Sequence, residues 1–262
     1  MKYSHKDRYK EMEQVRGRVL SRFIKRIPGL GIKRYCPVCG TLSKGFSEFG
    51  IVPRKNAKCV SCGALERHRL AWLYFERMTD LFDGRPKRML HVAPDRALEN
   101  LLKRRLGAGY LTADLRDPRA MVRMDVTEIA FAEETFDVIC CSHVLEHVPD
   151  DRRAISELHR VLKSGGWAVL MVPITAHKTF EDPSIAESSE RLRLFGQEDH
   201  VRRYGPDFVE RLKEAGFKVR VITGSDFLTK EEMTYTGITD AAAKIYHCVK
   251  RLSARPDTPL GG

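Results

Sequence analysis

An α/β fold with a doubly wound sheet, preceded by an N-terminal helix and a small cysteine module, is the architecture this sequence predicts. Two observations carry it. From residue 88 onward, short apolar runs alternate with amphipathic stretches of helical period, the pattern of strands joined by helices lying on both faces of a sheet. Ahead of them, Cys36-Pro-Val-Cys39-Gly is followed after nineteen residues by Cys59-Val-Ser-Cys62-Gly, two Cys-x-x-Cys knuckles at the separation of a zinc ribbon.

Composition narrows the function class. Of 262 residues, 42% are apolar and 31% charged, which excludes a wholly disordered chain. No apolar run approaches the roughly 18 to 20 residues of a membrane span, and the opening MKYSHKDRYKEMEQ lacks the apolar core of an export signal. The chain therefore reads as cytoplasmic. Its net charge of +11 is unevenly placed: residues 1–88 hold 21 Lys and Arg against 8 Asp and Glu, whereas residues 89–262 hold 25 against 27. The basic first third suits an anionic partner, whether nucleic acid, a phosphorylated glycan or a membrane surface, and does not choose among them.

Residues 1–33 form the first segment. Val15, Val19, Leu20, Phe23, Ile24 and Ile27 share one helical face, Arg16, Arg18, Arg22, Lys25 and Arg26 lie elsewhere, and Pro28-Gly29 stops the helix. Packing of the apolar face on a neighbouring domain is the preferred reading, and peripheral contact of residues 1–30 with the inner membrane surface the alternative.

The ribbon spans 34–63 as short strands and turns. Four thiolates from Cys36, Cys39, Cys59 and Cys62 close a tetrahedral shell around a structural Zn2+, leaving no open position for catalysis. Gly40 and Gly63, one after each knuckle, let the backbone turn its amides toward sulfur. Disulfides are disfavoured in a chain without an export signal.

A helix from Ala64 to about Leu81 links ribbon and main domain across residues 64–87, with Gly84-Arg85-Pro86 as the break. Residues 88–252 then supply strand candidates at Arg88–Ala93, Tyr110–Ala113, Ala120–Met124, Phe136–Ser142, Trp167–Pro173, Phe217–Thr223 and Ala243–Lys250, with helices near 95–106, 150–164 and 206–215. Cys140, Cys141 and Cys248 fall in these apolar runs and read as small buried residues. Residues 253–262 read as a disordered tail.

Three acids follow the strands in order: Asp95 after the first, Asp114 ending the second and Asp125 ending the third. An acid about 20 residues beyond the first strand's turn is where a nucleoside's ribose hydroxyls are held, although Asp at a strand end is also turn chemistry. The stretch Phe136-Asp-Val-Ile-Cys-Cys-Ser-His-Val-Leu-Glu-His-Val-Pro-Asp, with Glu157-Leu-His-Arg-Val-Leu-Lys-Ser-Gly-Gly166 after it, resembles class I S-adenosylmethionine-dependent methyltransferases, strongly over 88–173 and weakly to 250. With the ribbon it is similar to a bacterial group of zinc-ribbon methyltransferases. The resemblance implies a seven-stranded sheet whose last strand is antiparallel. It implies that Asp114, with Leu115 beside it, holds the ribose, that Asp125 and the Val126 backbone take the adenine, and that Ser142 and His143 flank the methionine part.

One loop departs from that family. Where Gly-x-Gly is usual, this chain reads His91-Val-Ala-Pro-Asp95, so that either the cofactor sits slightly displaced, with His91 and Asp95 supplying side-chain contacts, or binding is lost. Retained binding is the preferred reading, because Asp114 and Asp125 are both in place. His143-Val-Leu-Glu146-His147 also matches the H-x-x-E-H pattern of a zinc peptidase, but that chemistry needs a long helix and Pro149 cuts this one after about a turn.

Residues 174–204 are rich in His, Asp and Arg and can overhang the cofactor as a lid or substrate wall. His147, Asp199 and His200 are the candidates for deprotonating an acceptor, while Arg202 and Arg203 could hold an anionic group or lie on the surface. The leading reading is a methyltransferase acting on an O or N nucleophile of a small-molecule, glycan or lipid-linked acceptor. The alternatives are an RNA- or ribosome-associated methyltransferase, disfavoured by a ribbon with only Tyr35, Phe46 and Phe49 for base stacking, and a non-catalytic zinc-binding adaptor on a degenerate scaffold. The oligomeric state is left open.

Overall fold

The computed structural model describes residues 33–241 and 243–252. The helix expected over 1–33 (Lys33 apart) and the tail expected over 253–262 lie outside the described residues. The cysteine module comes first: β1 (Arg34–Tyr35) pairs antiparallel with β2 (Leu42–Ser43), and β3 (Ser47–Phe49) with β4 (Arg54–Lys58). Gly40 (φ +73°) and Gly63 (φ +74°) are left-handed, the conformation a residue with a side chain resists, and their amides donate to the Cys36 and Cys59 carbonyls at 2.8 and 2.9 Å.

The chain then enters α1 (Glu66–Met78), whose run Leu70-Ala-Trp-Leu-Tyr-Phe75 is buried on every side. A helix apolar all round needs cover all round. One side rests on the sheet, with Phe75 against Trp167 (centroids 6.2 Å apart), and another on the helix α6 (Lys230–Thr236) and the cysteine module. Arg69, fully buried, binds those parts together by donating to the carbonyls of Ala57, Ala64, Thr236 and Gly237. Breaking such a set leaves an unpaired buried charge, at a cost of about 3–5 kcal/mol.

The remaining strands are β5 (Met89–Val92), β6 (Tyr110–Asp114), β7 (Val122–Arg123), β8 (Phe136–Ser142), β9 (Leu162–Met171), β12 (Phe217–Ile222) and β13 (Ile245–Lys250). They make one seven-stranded sheet in the order β7-β6-β5-β8-β9-β13-β12. The β5, β6, β7, β8 and β9 pairings are parallel, and β13 runs antiparallel to both its neighbours. This is the arrangement the resemblance implied, and all seven strand candidates are strands.

Strand alternation distributes the core over two faces. Met89, Val138, Cys140, Val169 and Met171 face α1 and α2 (Arg96–Leu106), which supplies Leu98 and Leu102. Leu90, Ile139, Cys141, Ala168 and Leu170 face α3 (Asp151–Val161) and α5 (Phe208–Glu214). Asp150 caps α3 by accepting from the Arg153 amide at 2.9 Å. Cys140, Cys141 and Cys248 are free and buried, as expected of core thiols.

Residues 174–204, read from sequence as a lid or substrate wall, contain a short ribbon of β10 (Phe180–Glu181) and β11 (Arg202–Arg203) with α4 (Ser188–Phe195) between them. Strands of two residues carry too little pattern to be read from sequence.

Candidate functional site

In an open parallel sheet, ligands sit beyond the carboxyl ends of the strands where the winding reverses. Here that point lies between β5 and β8: from β5 the chain runs outward through β6 and β7, then returns to β8 on the other side. The residues that leave these two strands, Ala93 (φ 46°) and His143 (φ 56°), are both left-handed without being glycine. Each is held there by its amide, Ala93 to the Ala113 carbonyl and His143 to the Met171 carbonyl, both at 2.8 Å. Such a residue costs about 1–2 kcal/mol, and strain of this kind gathers at functional sites. The loop therefore takes, with alanine, the left-handed turn that glycine would make without strain.

Asp114 stands beside this point at the end of β6. Its Oδ1 accepts from the amides of Arg116 (2.7 Å) and Asp117 (2.8 Å), while Oδ2 has no hydrogen bond among the described residues. A carboxylate oriented by two amides with one oxygen left over is suited to accept from hydroxyls of a ligand. Leu115 and Met121 next to it are 44% and 47% exposed, an apolar rim for a flat ring. Asp125 is exposed, its Oδ1 bonded to the Thr127 amide (2.8 Å) and hydroxyl (2.7 Å), and Val126 behind it is buried. Ser142 is buried at the end of β8. These residues fit S-adenosylmethionine.

His91 and Asp95 are placed differently from the expectation that they meet the cofactor. His91 is 1% exposed, its Nδ1 2.7 Å from the Tyr110 hydroxyl, and burial pulls its pKa down to about 4. It underlies the loop, so a ligand there would meet backbone and not this ring. Asp95 Oδ1 lies 2.8 Å from His68 Nε2 and 3.7 Å from the Arg67 guanidinium. Burial alone would raise the Asp95 carboxyl, but His68 and Arg67 hold it below the usual aspartate range.

On the other side of the switch point, the short turn Leu145–His147 meets the 174–204 segment. His147 Nδ1 is 3.1 Å from Asp199 Oδ2, and the His147 and His200 rings meet edge to face with centroids 4.7 Å apart. The three catalytic candidates, 53 residues apart in sequence, are thus brought together. Glu146 joins them: it is 1% exposed, with Oε1 3.1 Å from His143 Nδ1. Burial would raise this carboxyl, but His143 keeps it below the ordinary glutamate value. Burial also lowers the His200 imidazole, favouring its neutral form.

Arg202 neither binds a substrate anion nor lies on the surface. It is 3% exposed and donates to the carbonyls of Leu145 (2.6 Å), Val148 and Pro149 (2.8 Å) and to Glu181 (2.8 Å). Its charge is met by Glu181, which Arg211 and Arg202 together pull down to about 2 against the effect of burial. Among the described residues Arg203 reaches the Thr175 hydroxyl and carbonyl.

The four knuckle cysteines offer sulfurs all within 4.8 Å of one another, and all four are free thiols. Cys36 and Cys62 sulfurs are 3.7 Å apart, and those of Cys39 and Cys59 3.8 Å. A tetrahedral zinc with 2.3 Å bonds sets its sulfurs about 3.8 Å apart. Burial pushes the Cys36 thiol up and that of Cys62 up to about 11, so these sulfurs become thiolates only with a cation among them. The residues fit zinc.

Comparison with known proteins agrees with the geometry. Residues 87–170 match the family model described as a methyltransferase domain. Over that third of the chain the protein is similar to a methyltransferase domain. The chain is 31% identical over 124 residues to the ubiquinone biosynthesis O-methyltransferase of Thiobacillus denitrificans, covering 47% of each protein. It is 34% identical over 74 residues to the uncharacterized methyltransferase YcgJ of Bacillus subtilis, covering 28% of each. The crystal structure of YcgJ superposes with a TM-score of 0.46 at 17% identity, over 71% of this chain and all of that one. The matches span less than half the length of these two curated relatives.

Around the methyltransferase domain, sequence reasoning missed three side chains. Glu146 was visible within the H-x-x-E-H pattern, but nothing local told of its burial. Nothing in the sequence around His68, within the linking helix, points to Asp95 as its partner. Arg202 reads from sequence as an anion holder or a surface charge, because its acceptors are mostly backbone carbonyls, which leave no trace in a sequence.

Proposed function

We propose that this chain transfers the methyl group of S-adenosylmethionine to an oxygen or nitrogen nucleophile of a small-molecule, glycan or lipid-linked acceptor. The observation that carries the reading is Asp114: one oxygen pinned by two amides, the other unclaimed among the described residues, at the carboxyl end of the strand beside the switch point. When bound, the sulfonium supplies the methyl group. Asp114 would hold the ribose hydroxyls against Leu115, Asp125 and the Val126 backbone the adenine, and Ser142 and His143 the methionine end. At Ala93 only a methyl group would stand between the backbone of the turn and the ligand.

The acceptor side is the wall made by residues 145–149 and 174–204, and Arg202 supports it from behind by fixing three carbonyls of the turn. His147, aligned by Asp199, stands where an acceptor's proton could be taken, with His200 beside it. The relative from ubiquinone biosynthesis is an O-methyltransferase, in keeping with an oxygen acceptor. In the same proposal one Zn2+ on Cys36, Cys39, Cys59 and Cys62 is structural.

Calorimetric titration with S-adenosylhomocysteine tests the donor site. The intact chain is expected to bind in the micromolar range and Asp114→Ala at least tenfold more weakly, about 1.4 kcal/mol. No binding by the intact chain would make the glycine-free loop decisive and leave a non-catalytic scaffold.

A further inference from the structure

Three neighbouring side chains at the acceptor wall each keep one coordinating atom that has no hydrogen bond among the described residues. Glu146 turns Oε1 to His143 Nδ1 at 3.1 Å, and its Oε2 is buried without a partner. His200 turns Nδ1 to the Phe195 carbonyl at 3.3 Å, and its Nε2 is buried without a partner. His147 turns Nδ1 to Asp199 Oδ2 at 3.1 Å, which leaves Nε2 as its free nitrogen. Each of the three residues offers a ligand atom within 4.8 Å of the others. Glu146 and His200 are 1% and 6% exposed, so two orphaned polar groups, each costing about 1–3 kcal/mol, are enclosed in one cluster.

We infer that Glu146, His147 and His200 hold one divalent cation of the zinc class, at a site separate from the four cysteines. Two imidazoles and a carboxylate are the donor set of borderline ions, in contrast to the all-oxygen sets of magnesium and calcium. The outward bonds are those that orient metal ligands elsewhere: a carboxylate on one histidine, a backbone carbonyl on the other. With bonds of 2.0–2.2 Å a tetrahedral ion places its ligands about 3.4 Å apart, so each side chain need close by less than about 1 Å. The backbone already fixes the frame, because the Val201 amide donates to the Glu146 carbonyl at 2.9 Å, next to both histidines.

Three protein ligands leave a coordination position open. The His147 side chain, 34% exposed, marks the open side. With the ion in place His147 and His200 are ligands and not bases: an acceptor hydroxyl bound there would lose its proton to water and present its oxygen lone pair to the methyl carbon, while the carbon–sulfur bond breaks and its electron pair stays on sulfur. That use of the site rests on the methyltransferase reading; the ion site itself does not. The turn Leu145–His147 is not the long helix of a peptidase, so the H-x-x-E-H pattern here contributes Glu146 and His147 to a different constellation.

The test is a Co2+ titration of untagged full-length protein already carrying one zinc per chain, with S-adenosylhomocysteine binding measured on the same sample. One further equivalent of Co2+ is expected, with visible ligand-field bands and without thiolate-to-cobalt charge transfer. Glu146→Gln, which keeps the shape of the side chain, and His200→Ala should each weaken it at least tenfold. The site is overturned if no second equivalent binds, if both variants bind Co2+ like the parent, or if the only signal is thiolate charge transfer from cobalt replacing zinc on the cysteines. Homocysteine-nucleoside binding without a second Co2+ removes the ion site alone, and Co2+ binding without the nucleoside removes the methyltransferase reading alone.

Discussion

His68 Nε2 stands 2.8 Å from Asp95 Oδ1, and so the helix that leaves the cysteine module is clasped to the loop that opens the methyltransferase sheet. The ring is oriented from its other side, where Nδ1 accepts from the Leu65 amide at 3.1 Å. Leu65 is itself the residue on which α1 begins. The cysteine module, α1 and the loop Ala93–Asp95 are therefore tied together, and the glycine-free loop is braced by a residue outside the sheet.

Replacing His68 by alanine should leave Asp95 largely buried with only the more distant Arg67 for company. A stability loss of about 1–3 kcal/mol is expected, together with weaker S-adenosylhomocysteine binding. Urea unfolding and calorimetry on the same preparation measure the two effects. Unchanged nucleoside affinity in a folded His68→Ala protein would show that the clasp does not reach the donor site.

Arg202→Met should cost about 3–5 kcal/mol, because it strips Glu181 and three carbonyls of a buried partner. Lysine should not restore the loss: a single ammonium cannot meet acceptors spread over the guanidinium plane. Thermal melts of both variants decide the point, and a Lys variant as stable as the parent would contradict it.

Two histidines make the chain sensitive to acid. Burial pulls His91 and His247 down from 6.5 to about 4. His91 is faced by Asp95 and His68, and His247 by Arg220 and Asp80. Between pH 6.5 and 4 the unfolded chain protonates these rings while the folded chain does not, so stability is full above pH 6.5 and falls as the pH drops. The slope is up to about 1.4 kcal/mol per pH unit for each ring. Unfolding free energies at pH 7 and pH 5 should differ in this direction, and His91→Gln should reduce the slope by up to about 1.4 kcal/mol per pH unit. An equal slope in that variant would place the acid sensitivity elsewhere.

Sequence by itself determined the order of strands and helices, the cysteine knuckles and the two acids Asp114 and Asp125. Each of these is local: an apolar run, a fixed spacing or a residue at a strand end, legible because backbone periodicity and metal geometry act over a few residues. The joining of His147 with Asp199 and His200 was guessed from residue type, and the fold supplied the distance. Only the tertiary structure decided that Arg202 is a buried strut, that α1 belongs to the core, that His68 holds Asp95, and that Ala93 takes a left-handed turn. Only it enclosed Glu146 beside His200 with one oxygen and one nitrogen unpaired. In all of these the partners are far apart in the chain, or are backbone carbonyls common to every residue, and what decides them is which groups burial leaves without water.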